Sequence, residues 1–264
     1  MKISVIMPVF NEEQFIEQCL NALIKQTLKP SQIIVVDDGS TDKSADIAAK
    51  FGVQLIRLPV EKESMIERLP YVIGTGTKRL NDFDYLAILD TDTILEPQYY
   101  HKLVQKFQED SKLGIAGGNL IGEGISSDLM LGLVPYVYGC NRLYSKQCWL
   151  KINNGKIMKP VPVWDFYHNV YAEMFGYTTK RFTNIKSWAL RPPGFKKAFI
   201  KGYTSYQIGY YGYFLLLRAL RSHSPGLIAG YLKARFTEKS EYPIKQYVRQ
   251  LQTYRLKKLI HRIL

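Results

Sequence analysis

The sequence predicts an α/β fold with a mostly parallel central sheet flanked by helices, followed by a basic helical extension. Three observations carry that expectation. Short runs rich in Val, Ile and Leu alternate with stretches of helical spacing, the runs end abruptly in acidic residues, and the excess charge is confined to the rear of the chain. The 264 residues are 46% hydrophobic, enough for a sizeable core in one large or two small domains. From Arg191 to Leu264 there are fifteen Lys and Arg against only Glu238 and Glu241, so this part carries the whole formal net charge of +13. A boundary is therefore expected between residues 1–190 and 191–264, with the rear part meeting an anionic partner.

Residues 3–10 read as a first strand closed by Asn11 and Glu12, after which Ile16, Leu20, Leu23 and Ile24 recur at helical spacing. Residues 32–36 form a second strand ending in Asp37-Asp38-Gly39-Ser40. Ser40 or Thr41 is the expected cap of a helix reaching Phe51, and residues 53–57 form a third strand. The run Tyr85-Leu86-Ala87-Ile88-Leu89 delivers Asp90-Thr91-Asp92 to a sheet edge, where two carboxylates one residue apart can both reach one hard divalent cation. Residues 97–108 make an amphipathic helix and 113–119 a further strand, whose Gly114, Gly117 and Gly118 permit either close approach to a ligand or a bend. In a parallel sheet the ligand sits at the strand ends, so Asp37, Asp38, Asp90 and Asp92 are expected on one rim. No G-x-G-x-x-G follows the first strand, which argues against a dinucleotide-binding oxidoreductase. Cys19, Cys140 and Cys148 lack metal-ligand spacing and are odd in number, pointing to a reducing compartment. The first residues show no signal-peptide cleavage pattern, so a cytoplasmic protein is expected.

The motifs Pro8-Val9-Phe10-Asn11-Glu12-Glu13, Val35-Val36-Asp37-Asp38-Gly39-Ser40-Thr41-Asp42 and Leu89-Asp90-Thr91-Asp92, in this order and spacing, resemble those of the family 2 glycosyltransferases with the GT-A fold. The resemblance covers about the first 190 residues. It implies a Rossmann-like sheet with a nucleotide-sugar-binding front half and an acceptor-binding rear half, with Mg²⁺ or Mn²⁺ as cofactor. Position by position, Pro8, Phe10 and Glu12 match the first nucleotide-contacting loop, and Asp38 matches the acid that holds the base. Asp90 falls near the ribose and metal, and Asp92 on the metal. Residues 68–80 resemble a segment that usually reads small residue, Arg, Asn, any residue, Gly. Gly76 matches that Gly, while Gly74 and Ile73 replace the Asn and Arg; Arg68 is either a cation near the diphosphate or a solvated arginine at a helix start. Gly139-Cys140-Asn141 resembles the family's Gly-x-Asn stretch, which implies a donor-sugar contact for Asn141; a buried amide tying two loops is the other reading. Trp164-Asp165, with Gly176-Tyr177 eleven and twelve residues after the acid, lines up with the Glu-Asp motif. Asp165 is then the general base, or else an ordinary helix cap, and Trp164 in place of Glu suggests an altered acceptor or a sugar-stacking wall.

In the rear part, Arg191-Pro192-Pro193-Gly194 punctuates the end of the sheet. Residues 203–220 form a tyrosine-rich apolar run, too short to span a bilayer but suited to an interface. Residues 244–263 set Ile244, Val248, Leu251 and Tyr254 against Lys245, Arg249, Arg255, Lys257, Lys258 and Arg262 on a second expected helix. An anionic membrane surface on the cytosolic side is the expected partner; nucleic acid is disfavoured, because no recognition motif accompanies the charge. The Gln-x-x-Arg-Trp element of processive synthases is matched only as Gln252-Thr253-Tyr254-Arg255-Leu256, so a single transfer is expected. The resulting expectation is a metal-dependent inverting transferase moving one sugar from a UDP- or GDP-type sugar to a hydroxyl of a glycan or lipid-linked acceptor. A polyprenyl-phosphate sugar synthase and a non-catalytic nucleotide-sugar binder at the membrane are the alternatives.

Overall fold

The structure is a computed structural model that describes residues 1–60, 65–122, 137–158, 164–192, 195–221, 224–237, 245–246, 248–250 and 252–253. These fall into two compact units, the first made of Met1–Gly122 with Tyr136–Arg191 and the second of the described residues from Pro192 onward.

The first unit is built on strands β1 (Ile3–Val9), β2 (Gln32–Asp37), β3 (Gln54–Arg57), β4 (Tyr85–Leu89), β5 (Thr93–Leu95), β6 (Leu113–Ile121), β7 (Asn141–Ser145) and β8 (Thr178–Ala189). Helices α1 (Ile16–Ile24), α2 (Ser44–Ala49), α3 (Met65–Thr77), α4 (Tyr99–Glu109), α5 (Lys146–Asn153) and α6 (Trp164–Met174) cover it. The strand order is β3-β2-β1-β4-β7-β6-β8-β5. Period-two alternation splits each buried strand between two cores. Val5, Met7 and Val9 join α1 and α4 through Leu20, Leu23, Leu103 and Phe107. Ile6, Ile34, Val36 and Ile88 turn to the other face and meet Val72 and Ile73 of α3.

The four strands from β3 to β4 are parallel, which brings the C-terminal ends of β1, β2 and β4 to one edge. Beyond β4 antiparallel pairings join the mostly parallel sheet: β7 runs antiparallel to β4 and β6, β8 parallel to β6, and β5 antiparallel to β8. Consequently β7 starts where β4 ends, with Asn141 opposite Leu89. The glycines of β6 serve packing. A Cβ on Gly118 would lie 2.6 Å from the Ile185 carbonyl oxygen and from Tyr99 Cε2, and the register with β8 slips between Gly118 and Asn119.

The second unit contains α7 (Phe195–Gln207), α8 (Gly212–Arg221) and α9 (Pro225–Thr237). Helices α7 and α9 cross at glycines: a Cβ on Gly230 would overlap the Phe199 carbonyl oxygen, and one on Gly202 the Leu227 carbonyl oxygen. The run 203–220 is not one segment, because Gly209 at φ +92° ends α7 and α8 starts afresh at Gly212. Most of the expected helix 244–263 lies outside the described residues. No helix among the described residues is long and apolar enough to cross a membrane.

Candidate functional site

Past β1 the chain turns through exposed Phe10 and through Asn11, whose φ of +53° suits an asparagine. This loop is knitted to the one after β2. Asn11 N donates to Ser40 Oγ (2.9 Å), Thr41 N to Asn11 Oδ1 (2.9 Å), Glu12 N to Ser44 Oγ (2.7 Å) and Glu13 N to Asp42 Oδ2 (3.0 Å). Those bonds explain why α2 starts at Ser44 and is not capped by Ser40 or Thr41: the Ser40 hydroxyl is already turned to the neighbouring loop. Asp37 is buried and braces the turn, accepting from Ser40 N (3.0 Å) and Arg57 Nε (3.3 Å).

Asp38 follows at the rim, and its Oδ1 accepts from both Nε and a terminal nitrogen of Arg68, each at 2.6 Å. Arg68, expected near a diphosphate, is instead buried on α3, where it also donates to the Pro59 carbonyl (3.2 Å). Its charge is committed to holding Asp38 in place. Gly76 likewise turns inward. A Cβ there would sit 2.8 Å from Ile6 Cγ2 and 3.1 Å from Val36 Cγ2, so its lack of a side chain lets α3 approach the sheet. Pro8 is half-buried within β1, opposite Val36.

At the end of β4, Asp90 N donates to the Cys140 carbonyl (3.0 Å), fixing the first acid to the chain entering β7. Three residues on, β5 pairs with β8 so that Thr93 lies opposite Ala189, and Leu190 N donates to the Asp92 carbonyl (2.8 Å). That register carries Arg191 to the acids. Its Nε donates to Asp92 Oδ2 (2.6 Å) and a terminal nitrogen to Glu12 Oε1 (2.5 Å), while the guanidinium stands 5.6 Å from the Phe15 ring centre. In the sequence Arg191 reads only as the first residue of the basic rear part and of its Pro-Gly punctuation. The field here is negative: burial, reinforced by the charges of Asp92 and Asp90, pushes the Cys19 thiol well up.

Asp165 occupies the first turn of α6, with Oδ1 accepting from Phe166 N (2.9 Å), and its Oδ2 lies 3.4 Å from where a Gly139 Cβ would stand. Gly139 adjoins Cys140, the residue that holds Asp90, so the two acids are connected through one short piece of backbone. Fully buried Arg142 supports this corner. It donates to the carbonyls of Tyr138 (3.1 Å), Asp165 (3.0 Å) and Val137, and to the Tyr144 hydroxyl (3.0 Å). The same hydroxyl meets Nδ1 of buried His168 (2.8 Å), which burial and the Arg142 charge keep neutral. Trp164 is no open stacking wall: it is buried, with Arg142 4.9 Å from its ring centre and His168 edge-on to it. Asn141 is buried, its amide donating to Ser187 Oγ (2.7 Å) and the Gly118 carbonyl (3.4 Å).

Among the described residues no three His, Cys, Asp or Glu form a metal-holding group. As a donor set, the two carboxylates of Asp90 and Asp92 have the chemistry that Mg²⁺ or Mn²⁺ takes in phosphate-ester sites, where one or two carboxylates are completed by phosphate oxygens and water.

A family model described as glycosyl transferase family 2 matches residues 4–154. The chain is 37% identical over 119 residues to glycosyltransferase GlyA of Streptococcus pneumoniae serotype 4 (strain ATCC BAA-334 / TIGR4), over 45% of this chain and 16% of that protein. It is 31% identical over 144 residues to the uncharacterized glycosyltransferase EpsJ of Bacillus subtilis (strain 168), over 54% of this chain and 40% of that one. The matches therefore span less than half the length of these relatives. Among solved structures, mannosyltransferase PcManGT from Pyrobaculum calidifontis, in complex with GDP-Man and Mn²⁺, superposes with a TM-score of 0.62 at 14% identity, covering 98% of this chain and 86% of that one. S. aureus TarS 1-349 in complex with UDP gives a TM-score of 0.54 at 18% identity, covering 76% and 64%. At such identities the likeness is one of fold.

Proposed function

The chain belongs to glycosyl transferase family 2 and has the GT-A fold, and from that premise we propose that it is a metal-dependent inverting transferase. It moves one sugar from a UDP- or GDP-type nucleotide-diphosphate sugar to an acceptor hydroxyl. One observation carries the reading: acids from the ends of β1 and β4, Glu12 and Asp92, converge on a single guanidinium at the edge where Asp38 also emerges. In this reading Pro8, Phe10 and Asp38 face the nucleoside, and Asp90 and Asp92 hold the Mg²⁺ or Mn²⁺. The bound cation supplies neutralisation of the charge that gathers on the leaving diphosphate. Asp165 takes the proton of the attacking hydroxyl. The acceptor is a lipid-linked glycan, a choice that rests on the basic rear part and on the cytosolic membrane face as the place where such a surface is met. Residues 1–190 together with Arg191 then carry catalysis, and the chain beyond Arg191 carries surface contact.

Arg191 has a part in this reading. It releases Asp92 to the cation when donor binds and turns its fork to the diphosphate, a geometry that guanidinium suits. Arg191→Ala is expected to tighten Mn²⁺ binding in the absence of nucleotide and to weaken UDP about tenfold with metal present, while uridine binding stays unchanged. Calorimetry reads all three, and a variant with unaltered Mn²⁺ and UDP affinities removes Arg191 from the site.

The function itself is tested by supplying radiolabelled UDP- and GDP-sugars with Mn²⁺ and a panel of lipid-linked glycans. Transfer to one acceptor with inversion at the anomeric carbon is expected. Product with retained configuration, or sugar released only to water, contradicts the reading.

A further inference from the structure

Helix α8 is apolar on two opposite faces. Phe214, Leu215 and Ala219 are buried in the second unit, as a packed amphipathic helix requires. On the other side Tyr213 (45% exposed), Leu216 (48%), Leu217 (52%) and Leu220 (63%) are open, and their spacing of three, four and seven residues sets them in one stripe. A helix that faced only water would carry charge there. Helix α9 repeats the pattern on a smaller scale with exposed Leu232 and Phe236, beside exposed Lys233 and Arg235.

We propose that the Tyr213, Leu216, Leu217 and Leu220 stripe of α8 inserts into the surface of an anionic phospholipid bilayer, with the basic side chains of the rear part engaging the headgroups. The proposal deepens the reading of a lipid-held acceptor and rests on it only for what the surface carries. Charge selects the occupant. The part from Arg191 onward holds fifteen Lys and Arg against two Glu, with Lys201, Lys233, Arg235 and Arg249 exposed. Two copies of such a surface repel each other, which disfavours self-association through the stripe. Leucine side chains offer nothing to bases or phosphates of nucleic acid, whereas aliphatic insertion combined with headgroup attraction is how an interfacial helix binds. Lys and Arg stems also lie along apolar surface while their charges stay wet, so the basic neighbours do not oppose insertion.

The test uses the full chain and sedimentation with vesicles of phosphatidylcholine alone or of equal parts phosphatidylcholine and phosphatidylglycerol. Binding to the anionic vesicles only, reduced by salt, is expected. Leu216→Ser with Leu217→Ser should weaken it at least about tenfold. In a separate variant, Leu217→Trp, the indole emission should shift to the blue on binding and be quenched by brominated acyl chains. Failure to bind anionic vesicles, equal binding by the serine pair, or an unquenched tryptophan overturns the proposal. So does a dimer in analytical ultracentrifugation that the serine pair abolishes, which would assign the stripe to a second copy. UDP and Mn²⁺ titrations of the same samples keep the two readings apart: nucleotide affinity shared by parent and serine pair shows an intact fold, and its loss from both strikes the donor site without touching the vesicle result.

Discussion

Asp165→Asn is expected to lower turnover about a thousandfold, within the range general-base catalysis supplies, while nucleotide-sugar affinity changes less than about twofold. The substitution is nearly isosteric. Asparagine keeps an oxygen to accept from Phe166 N, so the first turn of α6 stays closed and the loss reads the missing base rather than a disturbed helix. Arg142 grips the Asp165 carbonyl, a backbone group that the change does not touch. Steady-state rates with saturating donor, set beside calorimetric donor binding, check the outcome. A variant that turns over at nearly the parent rate points to an acceptor already ionised, as in a polyprenyl-phosphate sugar synthase, and takes the base role from Asp165.

Arg142→Met is expected to destabilise the first unit by about 3–5 kcal/mol. Methionine fills the space of the aliphatic stem, but the carbonyls of Val137, Tyr138 and Asp165 and the Tyr144 hydroxyl then lose a donor inside the core. Relief from burying the guanidinium offsets part of this. The deficit still wins, because each unsatisfied buried acceptor costs about 1–3 kcal/mol and several are created at once. Thermal unfolding should show a midpoint lowered by about 10 °C. Activity should fall with it, since the same side chain fixes the backbone that presents Asp165. A midpoint near that of the parent protein would mean that these carbonyls find other donors.

The elements legible in the sequence are those whose identity is local. β1, β2 and β4 are largely apolar runs with buried residues on both faces and acids soon after them, and the rise of Ile16, Leu20 and Leu23 along one face marks α1 without reference to anything distant. The helix start at Ser40 or Thr41 was misplaced for a physical reason. Good capping residues satisfy any nearby amide, and here Ser40 and Asp42 serve amides of the loop after β1, 29 residues away in sequence. β8 alternates weakly, with charged and polar residues on much of its length, so neither the strand nor its pairing with β5 stands out. Arg191 depends on that pairing. Its position beside Asp92 follows from register, which spacing along the chain does not encode. Trp164 and Gly76 stand at motif positions near a ligand, and Arg68 is a cation in the same segment as Gly76. In the fold Trp164 lies against a buried guanidinium, Gly76 takes a close helix-sheet contact, and Arg68 donates twice to one oxygen of Asp38.

The central claim is that the rim formed by Asp38, Asp90, Asp92 and Glu12 binds a metal-complexed nucleotide. Calorimetric titration of the chain with UDP, GDP and their sugars, each with Mn²⁺ and with EDTA, tests it directly when repeated on Asp92→Ala. Metal-dependent binding of one nucleotide class, lost in the variant, is the predicted result. Binding of no nucleotide under any metal condition, or binding indifferent to both EDTA and Asp92→Ala, would contradict it.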